Sequence, residues 1–397
     1  MKHKFSLVTV ITLMLMASAL TYSALVIFIG YPFGFRDNRA DAVREFATLL
    51  SRIEEFYIGE YNENEIAVAA MRSAVDALGD EWSFFMTSEE FRRSRDNTQN
   101  RYEGIGVTVE FDEETEGMRI VQVFRGSAAE TAGIVSGDVI IAVDGESAKN
   151  ITSAELRDML RRPIGESALL SVIRADGHDE DITVVFGFVF VEPLSYEMLD
   201  DYIGYIRLYN FNYGSARSFI TAANELIEQG AQGFIFDMRG NPGGWVVQMT
   251  EILNFLLPEG EIFISVDRAG NEQVTFSDDE YIDLPMVVLV DRFSFSGAEY
   301  FAALLREFDF AQIVGEQTTG KSRIQRVIEL PGGSAVNISF AEYLTKNRVS
   351  LHDEGGVVPD YIIELTDEEF SGFIRGILEH EDDPQLQKAI ELLTKNG

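Results

Sequence analysis

The chain contains no cysteine. Disulfides, thiol nucleophiles and Cys-ligated zinc are thereby excluded, although the compartment is not fixed by that alone. Histidine is nearly as scarce, with only His3, His178, His352 and His380 present. There is no H-E-x-x-H and no histidine pair, so zinc hydrolysis lacks its ligands, and no metal or cofactor is expected. Basic side chains are also few: 32 Lys and Arg stand against 66 Asp and Glu, a formal net charge of −34. Nucleic acid is bound through a surplus of Lys and Arg, so it is not an expected partner. The acidity reads instead as a solvated surface. What the chain does have is length. Its 397 residues, 46% of them hydrophobic, are enough for two or three domains with sizeable cores.

The N-terminus carries the one long apolar run. Lys2 and Lys4 precede a stretch with no charged side chain until Arg36, which exceeds the ~20 residues needed to span a bilayer. Ala17-Ser18-Ala19 looks like a cleavage site, but apolar sequence continues past it, so residues 1–35 are expected to remain as a single-pass anchor. Lysines on its short side predict a cytoplasmic N-terminus, with the body of the protein at the cell membrane and extracytoplasmic.

Residues 36–100 are read as a helical segment. Phe46, Leu49, Leu50, Ile53 and Phe56 recur at helical spacing, and a second amphipathic run leads to Leu78. No chemistry is assigned to this segment, which is expected to pack on later domains or to mediate association into a homo-oligomer. Residues 101–190 change to short strands punctuated by glycine. G-I-G-V-T-V-E, S-A-A-E-T-A-G-I and G-D-V-I-I-A-V-D-G closely resemble a PDZ domain. That resemblance implies capture of a peptide by strand addition, with N–H groups of Gly104-Ile105-Gly106 receiving a terminal carboxylate. Val107, Val109, Leu156 and Leu160 would line the pocket for the last side chain. Arg174, at the end of L-L-S-V-I-R, is a candidate contact for signalling peptide occupancy to the next domain.

From Ile203 the strand and helix patterns alternate, as in an α/β domain. Asp237-Met238-Arg239-Gly240-Asn241-Pro242-Gly243-Gly244 places glycines after a proline and before the expected helix 246–257. Backbone N–H groups there can face a ligand without Cβ interference, although the same residues also suit a plain turn. The run Met286–Val290 reads as a buried strand leading to a turn with Ser294 and Ser296, followed by a helix from Gly297 to Glu307. A serine in such a turn lies beside free N–H groups at the positive end of a helix dipole, which suits a nucleophile. It also suits an ordinary N-cap. Lys321 follows on the next loop, with Gln325 four residues on.

S-F-S-G-A-E and then V-G-E-Q-T-T-G-K-S-R-I-Q resemble the serine–lysine signature of the C-terminal processing, or tail-specific, peptidases. The resemblance implies Ser296 as nucleophile, Lys321 as general base and Gln325 as the residue orienting the lysine. It associates the N-P-G-G turn with an oxyanion hole, formed by the N–H groups of Gly243 and Gly297. Added to the membrane helix and helical segment read above, it implies an α/β multidomain chain with a PDZ-like domain (101–190), a ClpP/crotonase-like serine protease domain (191–365) and a C-terminal helical tail (366–397). Phe295 and Gly297 stand where alanines are usual, and Ser322 replaces the glycine after the lysine; Phe295 is expected to narrow the site. A free lysine titrates near ~10.4, so Lys321 must be buried to serve as a base, and its partner must be neutral, as Gln325 is. The expected activity is endopeptidase cleavage of proteins or peptides with exposed C-termini. The alternative is a non-catalytic peptide-binding scaffold of the same fold.

Two other constellations compete. Gly315–Ser322 fits the phosphate-loop pattern G-x-x-x-x-G-K-[ST], but the following R-I-Q-R-V-I-E-L-P-G-G predicts a strand where that loop requires a helix. For a Ser-His-Asp triad only His352 lies in the right domain, and it reads as a solvated loop residue.

Overall fold

The computed structural model describes residues 38–160 and 162–395. The expected anchor, residues 1–35, lies outside them; among the described residues no helix is long and apolar enough to cross a membrane. The chain divides after Ala70. In the first unit the helix Asn38–Phe56 leaves Val43, Phe46, Leu49 and Phe56 exposed.

Helical structure holds at Glu63–Asp76 and Ser88–Thr98. Between them the expectation of a wholly helical segment fails. Phe84–Met86 is a strand, paired antiparallel with Ala335–Leu344 through Phe85↔Val336. Aromatic neighbours favour a pleated, half-buried surface, and Thr87 then starts the next helix with a reciprocal Thr87–Glu90 capping box.

The glycine-punctuated segment forms an antiparallel sheet in the order Val107–Phe111, Met118–Val123, Val139–Val143, Ser167–Ile173, Asp179–Val185. Ala168, Leu170 and Val172 alternate inward onto Met118, Ile120, Ile140 and Leu156, the two-residue period of a one-sided sheet. Val107–Phe111 is at the edge, so one side of its backbone is unpaired. Ser153–Met159 packs nearby, opened by a Thr152–Glu155 capping box.

The α/β part is a six-stranded sheet in the order Leu194–Leu199, Ile203–Leu208, Gly233–Asp237, Met286–Val290, Ala311–Gly315, Tyr361–Ile362, parallel after the first pair. Its central strands are buried on both faces, which explains their continuous apolar runs. Phe234, Phe236, Met286 and Val288 face the helices Ser215–Glu228, Val246–Leu256 and Gly297–Glu307. Ile235, Val287 and Leu289 face the opposite way and meet Leu386, Ala389 and Leu392 of the helix Pro384–Lys395. The expected helical tail thus covers the second face of the sheet. A separate antiparallel sheet joins Phe84–Met86, Ala335–Leu344, Gly260–Asp267 and Glu272–Ser277, with Arg323–Glu329 paired to Ala335–Leu344.

Candidate active site

Three adjacent parallel strands end on the same side of the sheet, and the turns after them carry the motifs found in the sequence: 238–244, 291–296 and 316–322. In open α/β sheets ligands bind beyond the carboxyl ends of the strands. The two serines of the middle turn have different roles. Ser294 is fully buried; its hydroxyl donates to the Met238 carbonyl (2.7 Å) and accepts the Asp291 N–H (3.0 Å). Its oxygen is committed to joining two turns. Ser296 is half-buried and adopts φ 59°, ψ −119°, a strained conformation for a residue with a Cβ and one that concentrates at functional sites.

Glu299, three residues on, holds this turn. It is fully buried, and its carboxylate accepts the N–H groups of Ser296 (2.8 Å), Lys321 (2.9 Å) and Gly320 (2.6 Å) and the Thr318 hydroxyl (2.5 Å). Burial pushes its pKa up while these hydrogen bonds oppose the rise. One side chain therefore joins the serine turn to the lysine loop. In the sequence its only signal is the Ser296-x-x-Glu299 spacing of a capping box.

Lys321 is held from both ends. The Tyr343 hydroxyl donates to its carbonyl, and its Nζ lies 4.4 Å from the centroid of the Trp82 ring and 5.8 Å from that of Phe295. Burial lowers its pKa from 10.5 to about 8, against the opposing charges of Glu299, Asp80 and Glu81. Among the described residues its Nζ makes no hydrogen bond to Ser296 Oγ. Tyr343 is itself buried, and burial followed by the Glu299 charge raises its pKa far up, with hydrogen bonding by Ser296 working the other way. Neither Trp82 nor Tyr343 was singled out in the sequence. Neither lies in the serine or lysine motif, and pairing across the second sheet brings both to the site.

Two expected roles depart from the structure. Gln325 donates to the Arg323 carbonyl (2.8 Å) and Ser339 Oγ (3.2 Å) and does not contact the lysine. A register shift between Ile324 and Gln325 interrupts the strand pairing there and re-aims the side chain. The Gly243 N–H donates to Asn241 Oδ1 (2.8 Å) in a local Asn turn, so it does not stand free for an oxyanion. The Gly297 N–H, at the first position of its helix, has no acceptor among the described residues. Gly243 still abuts the site. It has φ 85°, and a Cβ there would lie 2.8 Å from the Gly297 nitrogen and from Ser296 Cβ. Gly244, Trp245, Val246, Met249, Phe263, Tyr300 and Tyr343 enclose a small, mainly apolar cavity beside Ser296 and Gly297.

The other constellations separate cleanly. Ser322 of the phosphate-loop pattern is followed by the strand Arg323–Glu329, as its β-branched residues predict. His352 is engaged with Ser322 Oγ through its N–H (3.2 Å) and with the Gly320 carbonyl (3.3 Å).

In the glycine-punctuated segment, Gly104, Ile105, Gly106, Val107, Val109, Leu156 and Leu160 line one groove, with Tyr102, Phe124 and Arg157 beside them. Gly106 has φ 85°, and Phe124 and Ala129 donate to the carbonyls of Gly106 and Ile105. The N–H groups of Ile105 and Gly106 have no acceptor among the described residues. Leu156 is fully buried, so it belongs to the core as well as to the groove. Arg174 does not reach toward the α/β part; it donates to Asp138 (2.7 Å) and the Gly133 carbonyl (2.9 Å), because the fully buried Asp138 requires a cation.

Residues 202–363 match the model of peptidase family S41, and residues 94–172 match that of the PDZ domain. Over 318 residues the chain is 31% identical to the carboxy-terminal processing protease CtpA of Bacillus subtilis, covering 80% of this chain and 68% of that protein. It is 30% identical over 337 residues to a carboxyl-terminal-processing protease of Picosynechococcus, covering 83% and 80%. A solved S41-family chain from Bacteroides fragilis shares the fold at TM-score 0.54 and 16% identity, covering 92% of this chain and all of that one. The chain belongs to the carboxyl-terminal processing proteases of peptidase family S41, serine-type peptidases that here carry a PDZ domain.

Proposed function

We propose that this peptidase cleaves proteins whose flexible C-terminus is held by the PDZ groove, using Ser296 as nucleophile and neutral Lys321 as general base. The observation that carries the reading is a half-buried lysine, its pKa lowered to about 8, on a loop joined to the Ser296 turn through the Glu299 carboxylate. Lys321 Nζ takes the Ser296 proton as Oγ attacks the peptide carbonyl, and the Gly297 N–H receives the oxyanion. The Gly243 N–H joins it only when the Asn241 side chain turns away. The lysine ammonium then protonates the leaving amine. In the second half Lys321 takes a proton from water, which attacks the acyl carbonyl, and the proton returns to Ser296 Oγ as the acid leaves. Gln325 orients the lysine only if its strand re-registers.

Substrate capture rests on the free N–H groups of Ile105 and Gly106 and on the open edge of Val107–Phe111, to which an extended peptide adds as a strand. Residues 1–35 would hold the enzyme in the cell membrane with its catalytic part extracytoplasmic; recovery in the membrane pellet after alkaline carbonate extraction tests that placement. The chemistry is tested with Ser296→Ala and Lys321→Ala. Each is expected to lower cleavage of an unfolded protein at least ~10³-fold with circular dichroism unchanged, and Lys321→Arg should not rescue, since guanidinium stays protonated. Cleavage retained in Ser296→Ala would move the nucleophile elsewhere. Cleavage absent from the native chain, with peptide binding intact, would favour a binding scaffold.

A further inference from the structure

Trp82 comes from a stretch with no assigned chemistry, yet it is fastened to the hairpin that follows Lys321. Asp80 pairs with Arg323 (2.8 Å). Ser83 Oγ accepts the Ser339 N–H (3.0 Å), and the Trp82 carbonyl accepts from Asn337 Nδ2 (3.0 Å). The next three residues pair as a strand with the same hairpin. The indole is thus set over the lysine from a rigid mount, 4.4 Å from its Nζ. Phe295 lies 5.8 Å from both the indole and the amine. An aromatic face attracts an ammonium and has no comparable hold on a neutral amine. The position on the ring is therefore a site for the protonated lysine. Catalysis requires the other state, a neutral amine on Ser296 Oγ.

We propose that Trp82 is a positioning residue, with Phe295 as its partner, that holds the Lys321 ammonium on the indole face in the resting enzyme and releases the amine to Ser296 on deprotonation. This rests on the Ser296–Lys321 reading above. The charged groups facing the amine are Glu299 from the helix after Ser296 and Asp80 and Glu81 beside Trp82. Asp80 is paired with Arg323, and the neighbouring Tyr343 hydroxyl stays protonated. The ring adds to those carboxylates in favouring the cation, so removing it while keeping the site apolar should free the base at lower pH.

The test is the pH dependence of kcat/KM on an unfolded protein substrate for the wild type, Trp82→Leu and Trp82→Phe. The acid limb of Trp82→Leu should move down by roughly half to one pH unit, so that activity at pH 6.5, relative to its own plateau, rises about three- to tenfold. Trp82→Phe, with a weaker face, should move the same way by less. A limb that stays put or moves up in Trp82→Leu overturns the proposal, since the indole would then only pack or exclude water. Should Trp82→Leu not fold, the Trp82→Phe limb, read as the rate of Ser296 labelling by a serine-directed electrophile, decides on the same criterion. Lys321→Ala separates the two layers. If its labelling follows the wild-type profile, the Ser–Lys reading fails; if labelling is lost in Lys321→Ala but the Trp82 variants leave the limb unmoved, only this inference fails.

Discussion

Lys321 bears directly on stability. Its pKa falls from 10.5 to about 8 through burial, so between those values the unfolded chain binds a proton that the folded chain does not. Stability contributed by this group therefore rises with pH from about 8 to about 10.5, by roughly 3 kcal/mol in all at ~1.36 kcal/mol per unit. Below pH 8 the folded protein carries the full cost of burying the cation. Lys321→Met should accordingly raise the unfolding free energy at pH 7 by up to about 3 kcal/mol, with a gain that shrinks by pH 9.5, while cleavage is lost. Urea midpoints at the two pH values, with m unchanged, check this; equal gains at both would mean that the lysine is not a buried base. The turn that carries Ser296 and the loop that carries Lys321 were legible in the sequence because each lies in a contiguous run whose local geometry follows from strand, turn and helix signals. The placement of Gln325 away from the lysine was not legible for an equally local reason, a register shift that residue types do not announce.

At the scale of elements, the helices Gly297–Glu307 and Val246–Leu256 could be read almost to the residue from apolar spacing. The sequence pattern at the end of the chain predicts a helix but not what it packs on. Its place is structural. Leu386 and Ala389 close the second face of the main sheet. Just before Leu386, Asp383 and Gln385 bind Arg239 at 2.8 and 3.0 Å, and Phe373 lies 4.2 Å beneath the guanidinium. Arg239 is fully buried, is held also by Asp237 (2.6 Å), and opens the turn that runs to Gly243. Through it the C-terminal segment is mechanically continuous with the active site, although the S41 match ends at residue 363. Leu386→Ala should cost about 2–5 kcal/mol of stability, as large-to-small changes at closed sites do. A urea titration showing less than 1 kcal/mol would mean that the helix is not part of the folded core.

Across the whole molecule, the PDZ-like sheet and the six-stranded sheet belong to one unit. If the terminal carboxylate is received by the Gly104–Gly106 loop, converting a substrate's C-terminus to an amide removes charge-assisted hydrogen bonds worth ~1.5–3 kcal/mol. kcat/KM should fall roughly ten- to a hundredfold. Equal cleavage of acid and amide would sink the capture role while leaving the dyad untouched.

By itself the sequence determined the chemistry available: a serine at a strand-to-helix turn, a lysine on the following loop, glycines where backbone must approach backbone, and no thiol or zinc cluster to compete. These depend on neighbours within a few residues, where spacing dictates geometry. Tertiary structure alone decided which distant groups complete the site. Strand pairing across the second sheet carried Trp82 and Tyr343 to the lysine, and packing on the main sheet brought Asp383 and Gln385 to Arg239. Desolvation in that assembled interior, a property of many segments together, is what lowers the Lys321 pKa.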